Sequence, residues 1–220
     1  MPAVRDMYSR AAWTIGFALV VYYNSRVEYP GPAARLTVVL ILIGLGFAAA
    51  GYLFAWIGGP GRQRVQEQIL GAVDLQGSER LLDASEGPSL GIAAAKRLKS
   101  GKVVALGDSS TNEASRQQAK LDGVGEKIRF EPGDLKKLSY PDANFDVVLS
   151  SGALSALGDI GPAIGELVRV LKPGGRLAIH ATGDAVHYQN LLSAAGLSSV
   201  TTLPAVLPFG LGGRVISARK

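Results

Sequence analysis

Residues able to bind a ligand concentrate in the loop DASEGPS (83–89), within the longer segment LLDASEGPSLGIAAAKRL. An apolar strand precedes this loop and a helix follows it, and that layout usually cradles a nucleotide because helix N-termini attract anions. Such loops prefer glycine, which accepts a positive φ and lets the backbone approach a ligand closely. Here Gly87 is the single glycine of the loop. The sequence therefore predicts a binding loop of unusual composition.

The elements that position this loop alternate between short apolar strands and helices from about residue 80 onward. Strands are predicted at 80–84, 102–106, 127–131, 145–150, 176–182, 199–203 and 214–218, and helices at 90–99, 113–121, 160–171 and 184–195. Apolar runs of this length between helices indicate a parallel sheet that is covered on both faces. The last two strands have no helix between them, so we expect an antiparallel edge pair. The fold class is an α/β, doubly wound sheet.

Two strings in this order resemble the class I S-adenosylmethionine-dependent methyltransferases, particularly the quinone- and lipid-modifying type. They are PDANFDVVLSSGAL (141–154) and GELVRVLKPGGRLAI (165–179), and GDLKKLSYPDANFD extends the match upstream. The resemblance covers about residues 66–220 and extends to a short membrane-anchored subgroup with two helices ahead of the domain. It implies a Rossmann-like, doubly wound, mostly parallel seven-stranded sheet. It does not by itself imply activity, since one fold hosts many functions.

The resemblance also implies S-adenosylmethionine as cofactor and assigns binding positions to strand ends. The first loop approaches the methionine part, an acid after the second strand binds the ribose hydroxyls, and an acid after the third strand contacts adenine. The corresponding cofactor-binding residues are Asp83, Ser85, Gly87, Asp108, Asp134, Leu135 and Ser151. Asp108 stands one residue later than the family's ribose-binding acid. As an alternative, Asp134 caps its own turn with its carboxylate.

The loop departs from the family pattern at two glycine positions, which read Ser85 and Ser89. A serine costs about 1–2 kcal/mol where the left-handed conformation is required. Pro88 lacks a backbone N–H, and Glu86 adds a negative charge beside the cofactor's carboxylate. Two interpretations stay open: the loop is a tolerated variant, or the cofactor site has degenerated and the cofactor is lost.

No residue of the sequence is assigned as catalytic. Methyl transfer is an in-line displacement that positioning alone accelerates, and a base is needed only when the acceptor must lose a proton. Ser155 occupies a place where the family often has a polar residue or a histidine, and a structural role is favoured for His180 at the end of the fifth strand. The chain has no cysteine, which excludes disulfides and thiolate sites. No metal-ligand spacing is present, so no metal site is predicted.

The N-terminal part is apolar enough to predict a membrane anchor. Residues 36–56 form a run of 21 residues without charge, which at ~1.5 Å per residue would cross a ~30 Å hydrocarbon core. Residues 11–23 form a shorter run, which we interpret as a short spanning helix in preference to an interfacial helix. With a turn at 24–34, where Pro30-Gly31-Pro32 disfavours helix, the two runs predict a transmembrane helical hairpin with helices at about 10–26 and 36–57.

The predicted organisation is an anchor at 1–58, a linker at 59–65 and a methyltransferase-like domain at 66–220. A net charge of +5 without clustering or aromatic interleaving argues against nucleic acid. One functional hypothesis is a membrane-anchored methyltransferase acting on a lipophilic quinone, isoprenoid, pigment or lipid. The other is a catalytically inactive accessory or scaffold subunit of a larger respiratory or photosynthetic membrane complex. We expect the soluble domain on the cytoplasmic face of the cell's inner (plasma) membrane.

Overall fold

The structure is a computed structural model that describes residues 30–56, 61–107, 109–205 and 213–220 of the 220-residue chain. The chain divides into two compact units, Met1–Arg62 and Gln63–Lys220. In the first unit, the helix α1 (Pro30–Trp56) is 27 residues long and contains the apolar run. Several of its large apolar side chains are exposed, among them Leu42 (62%) and Tyr52 (66%).

The predicted transmembrane hairpin is not supported. Within the described ranges, no helix is both long and apolar enough to cross a bilayer. The first predicted helix, at about 10–26, lies outside the described residues. The turn predicted at 24–34 is also wrong at its end, because α1 already begins at Pro30. Prolines are tolerated there, since the N–H groups of a helix's first turn have no intrahelical acceptor.

The second unit contains the alternating elements predicted from the sequence. Helices are α2 (Arg62–Ala72), α3 (Ser89–Arg97), α4 (Ser109–Leu121), a 3₁₀ turn (Ala153–Ala156), α5 (Gly161–Val170) and α6 (Ala185–Ala194). Strands are β1 (Arg80–Asp83), β2 (Lys102–Leu106), β3 (Ile128–Glu131), β4 (Phe145–Ser151), β5 (Leu171–Ala181), β6 (Ser198–Pro204) and β7 (Arg214–Arg219). The main difference in the strands is β5, which starts at Leu171 rather than after the KPGG turn.

The sheet has seven strands in the order β3-β2-β1-β4-β5-β7-β6. Strands β1 to β5 pair in parallel, and β7 pairs antiparallel with both β5 and β6. The strand order reverses between β1 and β4, and open α/β sheets bind ligands at such a switch point, outside the carboxyl ends of the strands. The predicted mostly parallel sheet with an antiparallel edge pair is confirmed.

Side-chain alternation along the strands builds a core on each face of the sheet. Leu82 and Val148 point to one face, whereas their neighbours Leu81 and Val147 point to the other, and all four are fully buried. Successive residues of a strand face opposite sides, and a strand buried on both sides reads as a continuous apolar run. Both faces are therefore covered, which leaves the carboxyl edge for polar side chains.

The helix α2 was missed by the sequence analysis, which placed the linker at 59–65. Val65, Ile69 and Leu70 of this helix are buried, a spacing that puts them on one helical face. From the middle of this helix, Gln66 Nε2 donates to Ser89 Oγ (2.8 Å) and Gln68 Nε2 donates to the Pro204 carbonyl (3.3 Å). Ser89 lies at the end of the loop after β1, and Pro204 lies at the carboxyl end of β6. The helix α2 is therefore hydrogen-bonded to the carboxyl edge of the sheet.

Candidate active site

The loop after β1 continues the pairing with β4 beyond the regular strands. The amide of Ala84 donates to the Leu149 carbonyl and the amide of Glu86 donates to the Ser151 carbonyl, both at 2.8 Å. The hydroxyl of Ser85 accepts a hydrogen bond from the Ser151 amide at 2.9 Å. These bonds hold the first half of the loop against the end of β4. Ser85 thus has a structural task that glycine, without a side chain, cannot perform.

The strain expected from serine at the glycine positions does not arise. Gly87 has a φ of +88°, but neither Ser85 nor Ser89 has a positive φ. Pro88 takes a helical conformation (φ −85°) at the cap of α3, and its carbonyl accepts from the amide of Ile92 at 3.0 Å. Only Gly87 requires the left-handed region that glycine tolerates. The loop composition therefore fits the fold without the penalty that a family comparison suggested.

Asp83 lies beneath this loop and is 1% exposed. Neither carboxylate oxygen completes a hydrogen bond in the described part of the chain, although Ser85 and Gly91 lie close to the group. Burial raises the pKa of Asp83 to about 6, and the neighbouring Ser85 and Gly91 oppose only part of that increase. A buried carboxylate without a partner is costly in a native protein and commonly marks a functional site.

Gly91 in the first turn of α3 makes room for Asp83, a role the sequence analysis did not detect. A Cβ placed on Gly91 would lie 2.6 Å from Asp83 Oδ2 and 3.2 Å from Ile128 Cδ1. The signal available in the sequence was a glycine inside a predicted helix, which weakens the helix unless packing requires it. The helix approaches β1 closely because this position has no side chain.

We predict that Gly91→Ala destabilises the domain by about 1–3 kcal/mol, because the added methyl overpacks a filled core. Chemical denaturation followed by circular dichroism measures this change. Gly165→Ala in α5 is the matched control, since nothing lies within 4 Å of its added Cβ. We expect that control to be neutral or stabilising through better helix propensity. Equal stability of both variants would contradict the assigned role of Gly91.

The loops after β2 and β3 lie next to each other at the same edge. The Gly107 amide donates to the Glu131 carbonyl at 3.0 Å, and a Cβ on Gly133 would lie 2.8 Å from a Leu106 methyl. Asp134 is exposed, and its Oδ1 accepts from the Lys136 amide at 2.9 Å, which is the turn-capping contact considered as the alternative. Its Oδ2 forms no hydrogen bond or ion pair among the described residues, so this oxygen stays available for a ligand. Asp108 lies outside the described residues.

Leu135 and Ser151 complete the predicted positions. Leu135 is half-buried and packs against the core beneath the loop after β3. Ser151 ends β4, and its hydroxyl lies 3.3 Å from His180 Nδ1 at the end of β5. Farther out, the Thr182 hydroxyl donates to Ser155 Oγ at 2.8 Å. The structure therefore brings Asp83, Ser85, Gly87 and Ser151 together, with Asp134 and Leu135 across the carboxyl edge of β2 and β3.

One contact across the edge was not predicted. Glu86 reaches over to Gly152, the first residue after β4: a Cβ on Gly152 would lie 3.2 Å from Glu86 Oε2 and 3.3 Å from Glu86 Cβ. Gly152 has a φ of +82°, so this position also favours glycine for its backbone conformation. The sequence contained no spacing rule that pairs positions 86 and 152, because the contact depends on the β1–β4 register.

Comparison with known proteins agrees with this geometry. A family model described as a methyltransferase domain matches residues 82–179. A 27-O-demethylrifamycin SV methyltransferase from Amycolatopsis mediterranei is 33% identical over 119 residues, covering 53% of this chain and 43% of that protein. A ubiquinone/menaquinone biosynthesis C-methyltransferase from Methylococcus capsulatus is 30% identical over 139 residues, covering 60% and 56%. The chain thus spans about half the length of these curated relatives.

Solved structures agree on the fold. A SAM-dependent methyltransferase from Aquifex aeolicus superposes with a TM-score of 0.58 at 18% identity, covering 73% of this chain and 92% of that one. At this identity the likeness concerns the architecture alone. The matched region, residues 82–179, begins in β1 and ends in β5, so it includes the loop at Gly87, the contact with β4 and the loop after β3.

Proposed function

We propose that the chain is a class I S-adenosylmethionine-dependent methyltransferase and that it transfers a methyl group from this cofactor to a lipophilic small molecule, because a methyltransferase-domain model matches residues 82–179. The observation that carries the proposal is the loop between β1 and α3. It has an open, positive-φ glycine at its tip and an unpartnered carboxylate at its base. This combination has a cost in stability that a purely structural turn has no reason to retain.

The residues present fit the cofactor. A Cβ added to Gly87 would meet nothing within 4 Å, so the space in front of the loop tip is open. Asp83, Ser85, Gly87 and Ser151 would hold the methionine part, and Asp134 with Leu135 would lie at the adenine end. The methionine part of the cofactor carries a sulfonium, an ammonium and a carboxylate, so its net charge is positive, which suits a site with the buried Asp83 carboxylate beneath it. Pro88 does not obstruct this space, since its ring belongs to the cap of α3.

When bound, S-adenosylmethionine supplies a methyl group on a positively charged sulfur. The protein's own contribution is positioning, which in well-oriented reactions removes much of the entropic barrier. The Glu86 amide donates to the Ser151 carbonyl and the Ser151 amide donates to Ser85 Oγ, and these two bonds hold the loop against the end of β4. The Ser151–His180 pair and the Ser155–Thr182 pair place hydroxyl and imidazole groups beside the loop, where they orient an acceptor.

The lipophilic acceptor is proposed from the relatives and from α1. One relative's name refers to ubiquinone and menaquinone biosynthesis, and both molecules are hydrophobic. Val39, Leu42, Ile43, Leu45 and Tyr52 of α1 are exposed large apolar side chains, and exposed patches of this kind mark interaction sites. We propose that they bind a lipid bilayer, at the cytoplasmic face of the cell's inner (plasma) membrane, where the acceptor is dissolved.

The experiment that tests the enzymatic proposal is calorimetric titration of the detergent-solubilised full chain with S-adenosylmethionine and with its demethylated product. We expect dissociation constants in the micromolar range, which corresponds to about −8 kcal/mol. Absence of binding at millimolar ligand would refute the enzyme proposal. In that case the chain would be a methyltransferase-fold subunit without a cofactor, the scaffold hypothesis raised by the sequence.

The membrane proposal predicts the behaviour of a charged variant of α1. Leu42→Asp combined with Leu45→Asp should abolish co-flotation of the full chain with phospholipid vesicles, because each carboxylate costs several kcal/mol in the hydrocarbon region. The double substitution Leu121→Asp and Leu203→Asp is the control, since these side chains are also exposed but belong to the second unit. Unchanged flotation of the α1 variant would exclude this helix as the lipid contact.

A further inference from the structure

A cavity lies at the opposite edge of the sheet from the candidate active site, where the chain enters β1, β2 and β3. This amino-edge cavity has a volume of about 620 Å³. Its lining is rich in positive charge, which comes from three strands, from α4 and from the residue before β3. The basic residues of the lining are Arg80, Lys102, Arg116, Lys120, Lys127 and Arg129. They are far apart in the sequence, which is why the sequence analysis found no clustering of charge.

Few carboxylates balance these cations. Within the described ranges, only two of the six basic side chains lie within 4 Å of a carboxylate, at 3.6 Å for Arg116 and 3.7 Å for Arg129. The lining itself contains two acids. Glu79 already accepts a hydrogen bond from Arg176 at 2.8 Å, and Glu126 is exposed. Like charges in one place repel unless an opposite charge lies between them, so the amino-edge cavity favours an anion.

Two of the ammonium groups are held in place by backbone carbonyls. Lys102 Nζ donates to the Glu126 carbonyl at 2.9 Å, and Lys127 Nζ donates to the Leu98 carbonyl at 2.7 Å. An ammonium group has three N–H donors and no acceptor, so each lysine has further donors for a ligand. Side chains that are fixed before a ligand arrives lose less conformational freedom on binding. The amino-edge cavity is therefore partly organised for an anion.

We propose that the amino-edge cavity binds a small molecule that carries a phosphate or polyphosphate group. A cleft lined by one sign of charge concentrates ligands of the opposite sign, and phosphate oxygens accept charge-assisted hydrogen bonds from lysine and arginine. The volume lies in the range of small-molecule sites, about 300–1,000 Å³, whereas a bilayer surface is flat and would contact the rim alone. Single-stranded nucleic acid stacks on exposed aromatic rings, but Phe130 of the lining is buried.

Calorimetric titration of the detergent-solubilised full chain with inorganic pyrophosphate tests this site. We expect submillimolar binding that weakens as salt is added, because exposed charges are screened. Lys102→Gln combined with Lys127→Gln should reduce the affinity at least tenfold, since two charge-assisted contacts are lost. Lys120→Gln is a milder variant, because this side chain is exposed on α4 and should not affect folding. We expect it to reduce the affinity about two- to fivefold.

Lys136→Gln combined with Lys137→Gln is the matched control, because both residues are exposed and lie after β3 at the carboxyl edge. It removes the same charge and should leave pyrophosphate affinity unaltered. Equal weakening in the control, or no binding by the unaltered chain at millimolar pyrophosphate, would overturn the proposed site.

A lipid headgroup is the other source of a phosphate, and vesicle flotation distinguishes it from a soluble ligand. The Lys102→Gln and Lys127→Gln variant should float with phosphatidylglycerol vesicles as well as the unaltered chain does, and pyrophosphate should not displace either protein. If this variant alone loses a preference for phosphatidylglycerol over phosphatidylcholine, the cations bind lipid and the small-molecule proposal is wrong. Binding of S-adenosylmethionine should be the same in all of these proteins, so this site and the proposed function are tested separately.

Discussion

Asp83→Asn is expected to make the ligand-free domain more stable at pH 7.5 and at the same time to weaken S-adenosylmethionine binding at least tenfold. The carboxylate is buried, lacks a hydrogen-bond partner, and its pKa is raised from 3.8 to about 6. An amide of the same shape removes the buried charge. The gain in unfolding free energy at neutral pH is about 3 kcal/mol at most, since one pKa unit corresponds to about 1.4 kcal/mol.

The pH window follows from the direction of the shift. Below pH 3.8 Asp83 is protonated in both the folded and the unfolded chain, so it causes no penalty. Between pH 3.8 and about 6 the unfolded chain loses this proton first, and the fold loses stability as the pH rises. Above pH 6 the penalty is complete. The difference in stability between Asp83→Asn and the unaltered chain should therefore be small at pH 4 and largest above pH 6.

Binding of a cation has the opposite dependence. The negative charge of ionised Asp83 attracts the cationic cofactor across a low-dielectric loop, so affinity should rise as the pH increases from 5 to 7. In Asp83→Asn this rise should disappear. Urea unfolding between pH 4 and 8, combined with titration at pH 5, 6 and 7, measures both effects on the same protein. Such a residue exchanges stability for function, as active-site groups commonly do.

Asp159→Asn is the control for these measurements, because Asp159 is exposed and its Oδ1 accepts from the Gly161 amide, a bond that asparagine also makes. The difference in stability between this variant and the unaltered chain should not depend on pH, and its binding should keep the rise in affinity with pH because Asp83 is unchanged. A loss of stability in Asp83→Asn that is equal at pH 4 and pH 7.5 would contradict the unpartnered state of Asp83, and would instead indicate that its carboxylate accepts essential hydrogen bonds.

The sequence predicted the sheet because strand burial leaves a local signature. Lys102–Leu106 has the predicted limits, and β4 and β7 extend the predicted ranges by one residue each. Apolar runs between turn residues report burial on both faces. The limits of α2 were less accessible, because its buried positions Val65, Ile69 and Leu70 are diluted by charged and amide side chains. A polar segment with only these three apolar residues spread along it resembles a linker.

The candidate site was only partly predictable. The positions of Asp83, Gly87 and Ser151 follow from strand ends and from the family resemblance. The conformation of Ser85 could not be predicted, because its φ and its bond to Ser151 depend on how β1 and β4 pair. The same is true of Glu86 and Gly152. A missing glycine signals strain only when the backbone at that position requires a positive φ, and the structure shows that requirement at Gly87 alone within this loop.

The second large effect concerns Arg176, at the opposite end of the sheet from the site. Its Nη2 lies 2.8 Å from Glu79 Oε1, and its Nη1 donates to the carbonyls of Val73 and Asp74 after α2. Glu79 is 5% exposed and accepts further bonds from the amides of Gln76 and Gly77. Burial raises the pKa of Glu79, but these amides and Arg176 outweigh burial and lower it overall.

Arg176→Ala should destabilise the second unit by about 3–5 kcal/mol, because removing one partner leaves a buried carboxylate without a countercharge. Since the pKa of Glu79 is depressed, the stability it contributes is present above its ordinary pKa of 4.5 and is lost as the pH falls below that value. Arg176→Ala should weaken this acid dependence. Urea unfolding of the full chain at pH 7 and pH 4, followed by circular dichroism of the sheet, measures both changes.

Arg129→Ala is the control for this substitution, since the Arg129 side chain is 79% exposed and lies 3.7 Å from Glu131. It should change stability by less than about 1 kcal/mol, as exposed ion pairs do. Adding Glu79→Gln to Arg176→Ala should recover part of the loss, because the neutral amide no longer requires a countercharge. Additive losses in the double variant would show that Arg176 stabilises the fold only through its hydrogen bonds to the Val73 and Asp74 carbonyls. Its whole contribution would then be to connect the end of α2 to β5.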